Sequence, residues 1–168
     1  EAIQRYQYAL SIDPGNWDAQ DDLVSACVES HRLEEAVAAL RSLIELRPEC
    51  ADQHLRLGDV YIKMGKESQA LAAYTEAIAL DPDYLEATIK LGTTHLRVGD
   101  HAQAVEAFAR AVELNDRVVG AYVGLGVAQQ ALGRNEDALA SFEMAGYVEP
   151  NSTLLFGEMA RVQLQLSA

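Results

Sequence analysis

All four prolines of this 168-residue chain share one phase: Pro14, Pro48, Pro82 and Pro150 are separated by 34, 34 and 68 positions. The slot skipped by the series, one period after Pro82, holds Asp116. For a period of this length, three later prolines would align with the first by chance roughly once in 40,000 trials. A repeat of a few tens of residues implies a stack of supersecondary units, each packed on its neighbours, rather than one closed core. Such an array offers a long surface and few enclosed pockets.

Other residues keep the same phase. Ahead of each proline slot stands a small residue, then a large apolar one, then a further small or apolar one. These sets are Ala2, Tyr6, Ala9; Ala36, Leu40, Leu43; Ala70, Tyr74, Ala77; Ala104, Phe108, Ala111; and Ala138, Phe142, Ala145. Spacings of four and three keep side chains on one helical face. After each slot comes a second periodic run: Gln20, Leu23, Val24, Cys27; His54, Leu57, Gly58, Tyr61; Thr88, Leu91, Gly92, His95; Tyr122, Leu125, Gly126, Gln129; and Phe156, Met159, Ala160, Gln163. Two helices per period follow, over 1–12, 18–30, 33–46, 52–64, 67–80, 86–98, 101–114, 120–132, 135–147 and 153–166. Gly65, Gly99 and Gly133 fall between the helices of a pair, where a helix end favours a left-handed residue. His31 takes that slot in the first complete unit, which predicts a turn there that is strained or differently built. Val24 stands where three later units carry glycine, which predicts a looser helix contact.

This pattern resembles the tetratricopeptide repeat: an aromatic, then Leu-Gly, Tyr, Ala, Phe and a closing Pro at fixed spacing. The resemblance runs the length of the chain and implies an all-α fold, a right-handed α-solenoid of stacked antiparallel helix pairs. Its units are 17–50, 51–84, 85–118 and 119–152, flanked by half-units 1–16 and 153–168. The chain opens inside a second helix and closes after a first one, so it reads as a piece of a longer array. Leu154, Leu155 and Phe156 give the last helix apolar residues on more than one face, and solenoid ends ordinarily need polar caps.

Composition narrows the function classes. Thirteen basic against 26 acidic residues leave a net charge of −13, which disfavours nucleic-acid binding, a process driven by phosphate neutralisation. Apolar runs are too short for a transmembrane helix, so no direct membrane insertion is expected. Cys27 and Cys50 read as free thiols, one in a core slot and one between units. Neither they nor the chain ends fix a compartment, and the cytoplasm is the default expectation. His31, His54, His95 and His101 lack metal-ligand spacing, and no metal or other cofactor is expected. Asn151-Ser152-Thr153 matches a glycosylation sequon but reads equally as an inter-unit turn with an N-cap. Nucleophile motifs, phosphate-cradling glycine loops and paired catalytic carboxylates are missing from the sequence, so the chain reads as a non-enzyme.

The resemblance implies a concave surface lined by the first helix of each unit. Its slots carry formal charges of −4, 0, +1, 0 and 0 from first to last unit. Near the middle they hold Arg56, Asp59, Lys63, Lys90, Thr93 and Arg97, whose cations suit an acidic peptide or a C-terminal carboxylate. Against that stands a simpler account: Asp52 with Arg56, Asp59 with Lys63 and Glu86 with Lys90 are acid-to-base pairs one helical turn apart, which would neutralise three of the four cations. Further along, Val123 and Val127, beside Gly120 and Gly124, offer an apolar seat for an anchor residue, or else pack against a neighbouring helix. Asp21 and Ser25 occupy slots where chaperone-binding relatives carry Lys and Asn. Asp22, Arg56, Lys90, Gly124 and Glu158 replace the Asn ladder of sugar-transferring relatives. The expected function is therefore a non-catalytic scaffold or adaptor that holds a protein or peptide partner in its groove. The alternatives are a homo-oligomer assembled through exposed repeat ends, as in scaffold-forming bacterial relatives, and a regulatory arm of a larger enzyme.

Overall fold

The computed structural model describes residues 2–150 and 153–166; the sequon residues Asn151 and Ser152, and the side chains of Leu154, Leu155 and Phe156, lie outside the described set. Among the described residues there are ten α-helices, in the order α1 Ala2–Ile12, α2 Trp17–Glu29, α3 Leu33–Leu46, α4 Ala51–Lys63, α5 Glu67–Leu80, α6 Leu85–Val98, α7 His101–Leu114, α8 Val119–Ala131, α9 Asn135–Val148 and α10 Thr153–Leu166. Every boundary falls within one residue of the sequence expectation. The fold is all-α and divides into two compact units, one ending at Pro82 and one beginning at Asp83. In the first, α1 to α5 each pack on the next helix in sequence; in the second, α6 to α10 do the same, and α6 also touches α8.

The turn within each helix pair repeats one hydrogen-bond pattern. The N–H of His31, Gly65, Gly99 and Gly133 donates to the carbonyl three residues back, at 3.2, 3.0, 3.2 and 2.9 Å. The following N–H, from Arg32, Lys66, Asp100 and Arg134, donates five residues back at 2.8 to 2.9 Å. This is the double closure of a Schellman motif, which needs a left-handed residue at its apex. The three glycines meet that demand at φ of 67, 84 and 74°. His31 meets it at φ 55°, so of the two expected forms the turn takes the strained one. Replacing His31 with Gly removes the clash of a Cβ in the left-handed region and is expected to add about 1 kcal/mol of stability. That corresponds to a rise of about 2–4 °C in Tm for a chain of this size; an unchanged or lower Tm by calorimetry would contradict the strain.

The turns between pairs follow the proline phase. Arg47, Asp81 and Glu149, each just before a proline, are extended, with ψ of 81, 94 and 86°. A proline forces this on its predecessor. Asn115 precedes Asp116 rather than proline and is extended all the same, at ψ 108°. Its Oδ1 accepts the N–H of Arg117 at 2.9 Å, an Asx turn that replaces the ring constraint.

Within each pair the small-residue slot of the first helix receives the large residue of the second. A Cβ added to Gly58 would lie 2.4 Å from the Tyr74 ring, one on Gly92 3.1 Å from Phe108, and one on Gly126 2.7 Å from Phe142. The contact between α2 and α3 uses the reverse assignment. Val24, 1% exposed, faces the same role, and the aromatic slot holds the smaller Leu40, which is fully buried. As expected from Val24, α2 and α3 touch less extensively than the later pairs, while the lost ring volume makes room for the added methyl groups and keeps both side chains buried.

Candidate functional site

The first helices of the first unit, α2 and α4, enclose a cleft of about 280 Å³. Val24, Val28 and Val60 form its apolar lining, and Ser25, Glu29, Arg56, Asp59 and Lys63 supply the polar groups. Its size lies near the lower end for small-molecule pockets, about 300–1,000 Å³, and suits one or two anchored side chains. Three of the residues singled out from the sequence, Arg56, Asp59 and Lys63, thus share one wall of one cleft.

Two of these charges have partners beyond the pairing expected along α4. Arg56 was matched with Asp52 along its own helix; the structure takes the guanidinium across to α2. There Nη1 forms an ion pair with Asp21, Nη2 donates to Ser25 Oγ at 3.4 Å, and Nη1 also reaches Gln53 Oε1 at 3.3 Å. Asp59 was matched with Lys63; its Oδ1 accepts the phenolic hydrogen of Tyr74 at 2.8 Å. A hydrogen-bonded guanidinium and a hydrogen-bonded carboxylate are held in place before any ligand arrives, which lowers the ordering cost of binding. Lys63 is exposed at the cleft edge, on the last turn of α4.

The other five residues belong to the second unit. Lys90 Nζ pairs with Glu86 at 3.2 Å, as the one-turn spacing predicts. Thr93 Oγ1 donates back to the Ile89 carbonyl at 2.9 Å, so its hydroxyl is directed along the helix. Arg97 is exposed on the last turn of α6. Val123 and Val127 are half-buried and packed against the cluster of Tyr122, Ala138, Phe142, Ala145 and Val162. Gly124, counted among the lining slots, is instead a buried contact: a Cβ there would lie 2.4 Å from the Phe108 ring. The reason is that Phe108 reaches past its own pair and needs a bare backbone on α8, which helical periodicity alone does not reveal.

Burial pushes the Cys27 thiol up from its usual range, with Glu35 adding to the shift and Arg32 opposing it. A fully buried thiol held protonated is a packing residue and a poor nucleophile. Among the described residues no group of three or more His, Cys, Asp or Glu side chains is placed to hold a metal ion, and no helix is long and apolar enough to cross a membrane.

Models of the tetratricopeptide repeat match residues 1–59 and 89–146, and a further TPR repeat model matches 58–99. No curated protein matches the chain in sequence. Among solved structures, the crystal structure of MamA is 26% identical with a TM-score of 0.82, over 88% of this chain and 86% of that one. YrrB, described as a TPR protein with an unusual peptide-binding site, is 22% identical with a TM-score of 0.80, over 92% and 80% of the two chains. The first TPR of Spaghetti (RPAP3), bound to the HSP90 peptide SRMEEVD, is 27% identical with a TM-score of 0.68, over 70% and 94%.

Proposed function

This chain belongs to the tetratricopeptide repeat family, and from that premise we propose that it is a non-catalytic scaffold that grips a peptide or partner helix along its first helices. Family members are protein-interaction modules, and one relative of similar fold holds the HSP90 peptide named above. The observation that carries the reading is the cleft between α2 and α4, with an apolar lining and a preorganised Arg56 on its wall. An apolar side chain of the partner would enter between Val28 and Val60, while an adjacent carboxylate would meet Lys63. The acidic α2, with Asp18, Asp21, Asp22 and Glu29, disfavours a second carboxylate there and would set the direction of the bound segment.

Peptide arrays probed with the whole chain test this. Lys63→Glu is expected to weaken retained acidic peptides by about tenfold, the loss of one well-placed charge contact. Arg97→Glu asks whether Arg97 on α6 takes part as well. Unaltered binding by both variants would overturn the basic-grip reading. Light scattering belongs beside it: a solution mass that climbs with concentration would favour the self-assembling alternative.

A further inference from the structure

The second unit carries a second cleft, of about 390 Å³, lined by Asp116, Arg117, Tyr122, Met144, Tyr147 and Val148. None of these six occupies a lining slot of a first helix. They come from the loop between α7 and α8, the core tyrosine of α8 and the last turns of α9.

The repeat register shows that this cleft is a departure from the other units. One, two and three periods before Met144 stand Arg110, Glu76 and Ser42; before Tyr147 stand Glu113, Ala79 and Glu45. On α7 the two positions form an ion pair, Arg110 to Glu113 at 3.2 Å. On α9 the same two positions present a thioether and a phenol to solvent, Met144 at 46% and Tyr147 at 83% exposed. The loop changes with them. Asp116 stands where other units have proline, and Arg117 stands where they have Asp83, Glu49 and Gly15. The proline slot and three positions near it thus differ from the three preceding units around one hollow, although four periods before Met144 an exposed Tyr8 also stands. Exposed Met and Tyr beside a cavity are residue types that serve as adaptable contact surface.

We infer that this cleft is a second docking surface, for a protein segment carrying an aliphatic or aromatic anchor flanked by Lys or Arg. The anchor follows from the lining: Tyr122, Met144 and Val148 offer apolar walls, and Tyr147 is free to fold over an inserted side chain. The basic flanks follow from charge. With Glu113 paired to Arg110, the framing segments 113–117 and 143–149 still carry Asp116, Glu143 and Glu149 against Arg117, on a chain of net charge −13. This partner chemistry is opposite in sign to that expected between α2 and α4, so the two surfaces sort their partners by charge.

The test is a titration of isotope-labelled protein with the synthetic peptide Lys-Arg-Leu-Trp-Leu-Arg-Lys, followed by amide chemical shifts. A version with Ala for Leu and Trp, and one with Glu for Lys and Arg, serve as controls. The expected result is a set of shifts confined to residues 115–122 and 143–149, produced by the first peptide and by neither control, and weakened by added salt. Tyr147→Ser, a neutral change at an exposed position, is expected to lower the affinity about tenfold without changing the thermal melt. Four outcomes overturn the inference: no binding, shifts mapping to α2 and α4 instead, equal binding by the Ala control, or an unchanged affinity in Tyr147→Ser. Shifts at the same residues that depend on protein concentration alone would also overturn it, by identifying a second copy of the chain as the occupant. Because the array experiment reads Lys63 and this one reads Tyr147, either surface can fail while the other stands.

Discussion

Phe108→Ala is expected to destabilise the chain by about 3–5 kcal/mol, the usual loss for a buried aromatic ring. The ring is 2% exposed and lies in the cluster of Ala104 and Ala128, with Ile89, Leu96, Val105 and Leu125 around it. It also bridges three helices. From α7 it meets the bare backbone of Gly92 on α6 and of Gly124 on α8, where added Cβ atoms would lie 3.1 and 2.4 Å away. Removing it leaves a cavity between two glycines, neither of which has a side chain to collapse into the space. Stability in such arrays is a sum of unit and nearest-neighbour terms, so the loss would fall on the contacts joining α6, α7 and α8. Urea unfolding followed by circular dichroism measures it, with two-state behaviour itself under test. A loss below about 1 kcal/mol would mean that the ring is not the keystone of this contact.

The second large effect concerns Gly58 and Tyr74. Gly58→Val is expected to cost about 2–3 kcal/mol by overpacking, because three ring atoms of Tyr74 already lie within 2.4–2.9 Å of where a Cβ would be. The ring cannot swing away freely: it is 1% exposed, and its hydroxyl is tied to Asp59 Oδ1 at 2.8 Å. The chain supplies its own rescue. In the first complete unit the same two slots hold Val24 and Leu40, both buried. The double variant Gly58→Val, Tyr74→Leu copies that pair and should recover much of the loss, with a coupling energy of about 1–3 kcal/mol. Recovery stays incomplete because the hydrogen bond to Asp59 is gone. Additive losses in the double-mutant cycle would show that the two slots do not exchange volume.

The candidate site was legible in part. Helical spacing sufficed to put Arg56, Asp59 and Lys63 on one face, and they do line one cleft. The spacing rule also matched Lys90 with Glu86. It did not foresee that Arg56 would turn to Asp21, 35 residues earlier. A long side chain chooses among all acceptors within reach, and those on the adjoining helix are as near as those one turn away. The cleft at Met144 and Tyr147 has a signal in the sequence outside the core positions: both residues differ in type from those one, two and three periods earlier.

What the sequence determined by itself was what recurs with the period: the ten helices among the described residues, the left-handed turns at Gly65, Gly99 and Gly133, and the small-against-large seam of the pairs. These depend on local conformation and on contacts with a fixed offset, so any one unit reports on the rest. What only the tertiary structure decided is what differs between units. The ring of Phe108 claims Gly124 as a packing surface, Val24 and Leu40 trade volume while both stay buried, and α8, α9 and the loop before α8 leave a hollow beside Tyr147. Each of these outcomes depends on the shapes of side chains where neighbouring elements meet, and periodicity carries phase but not shape.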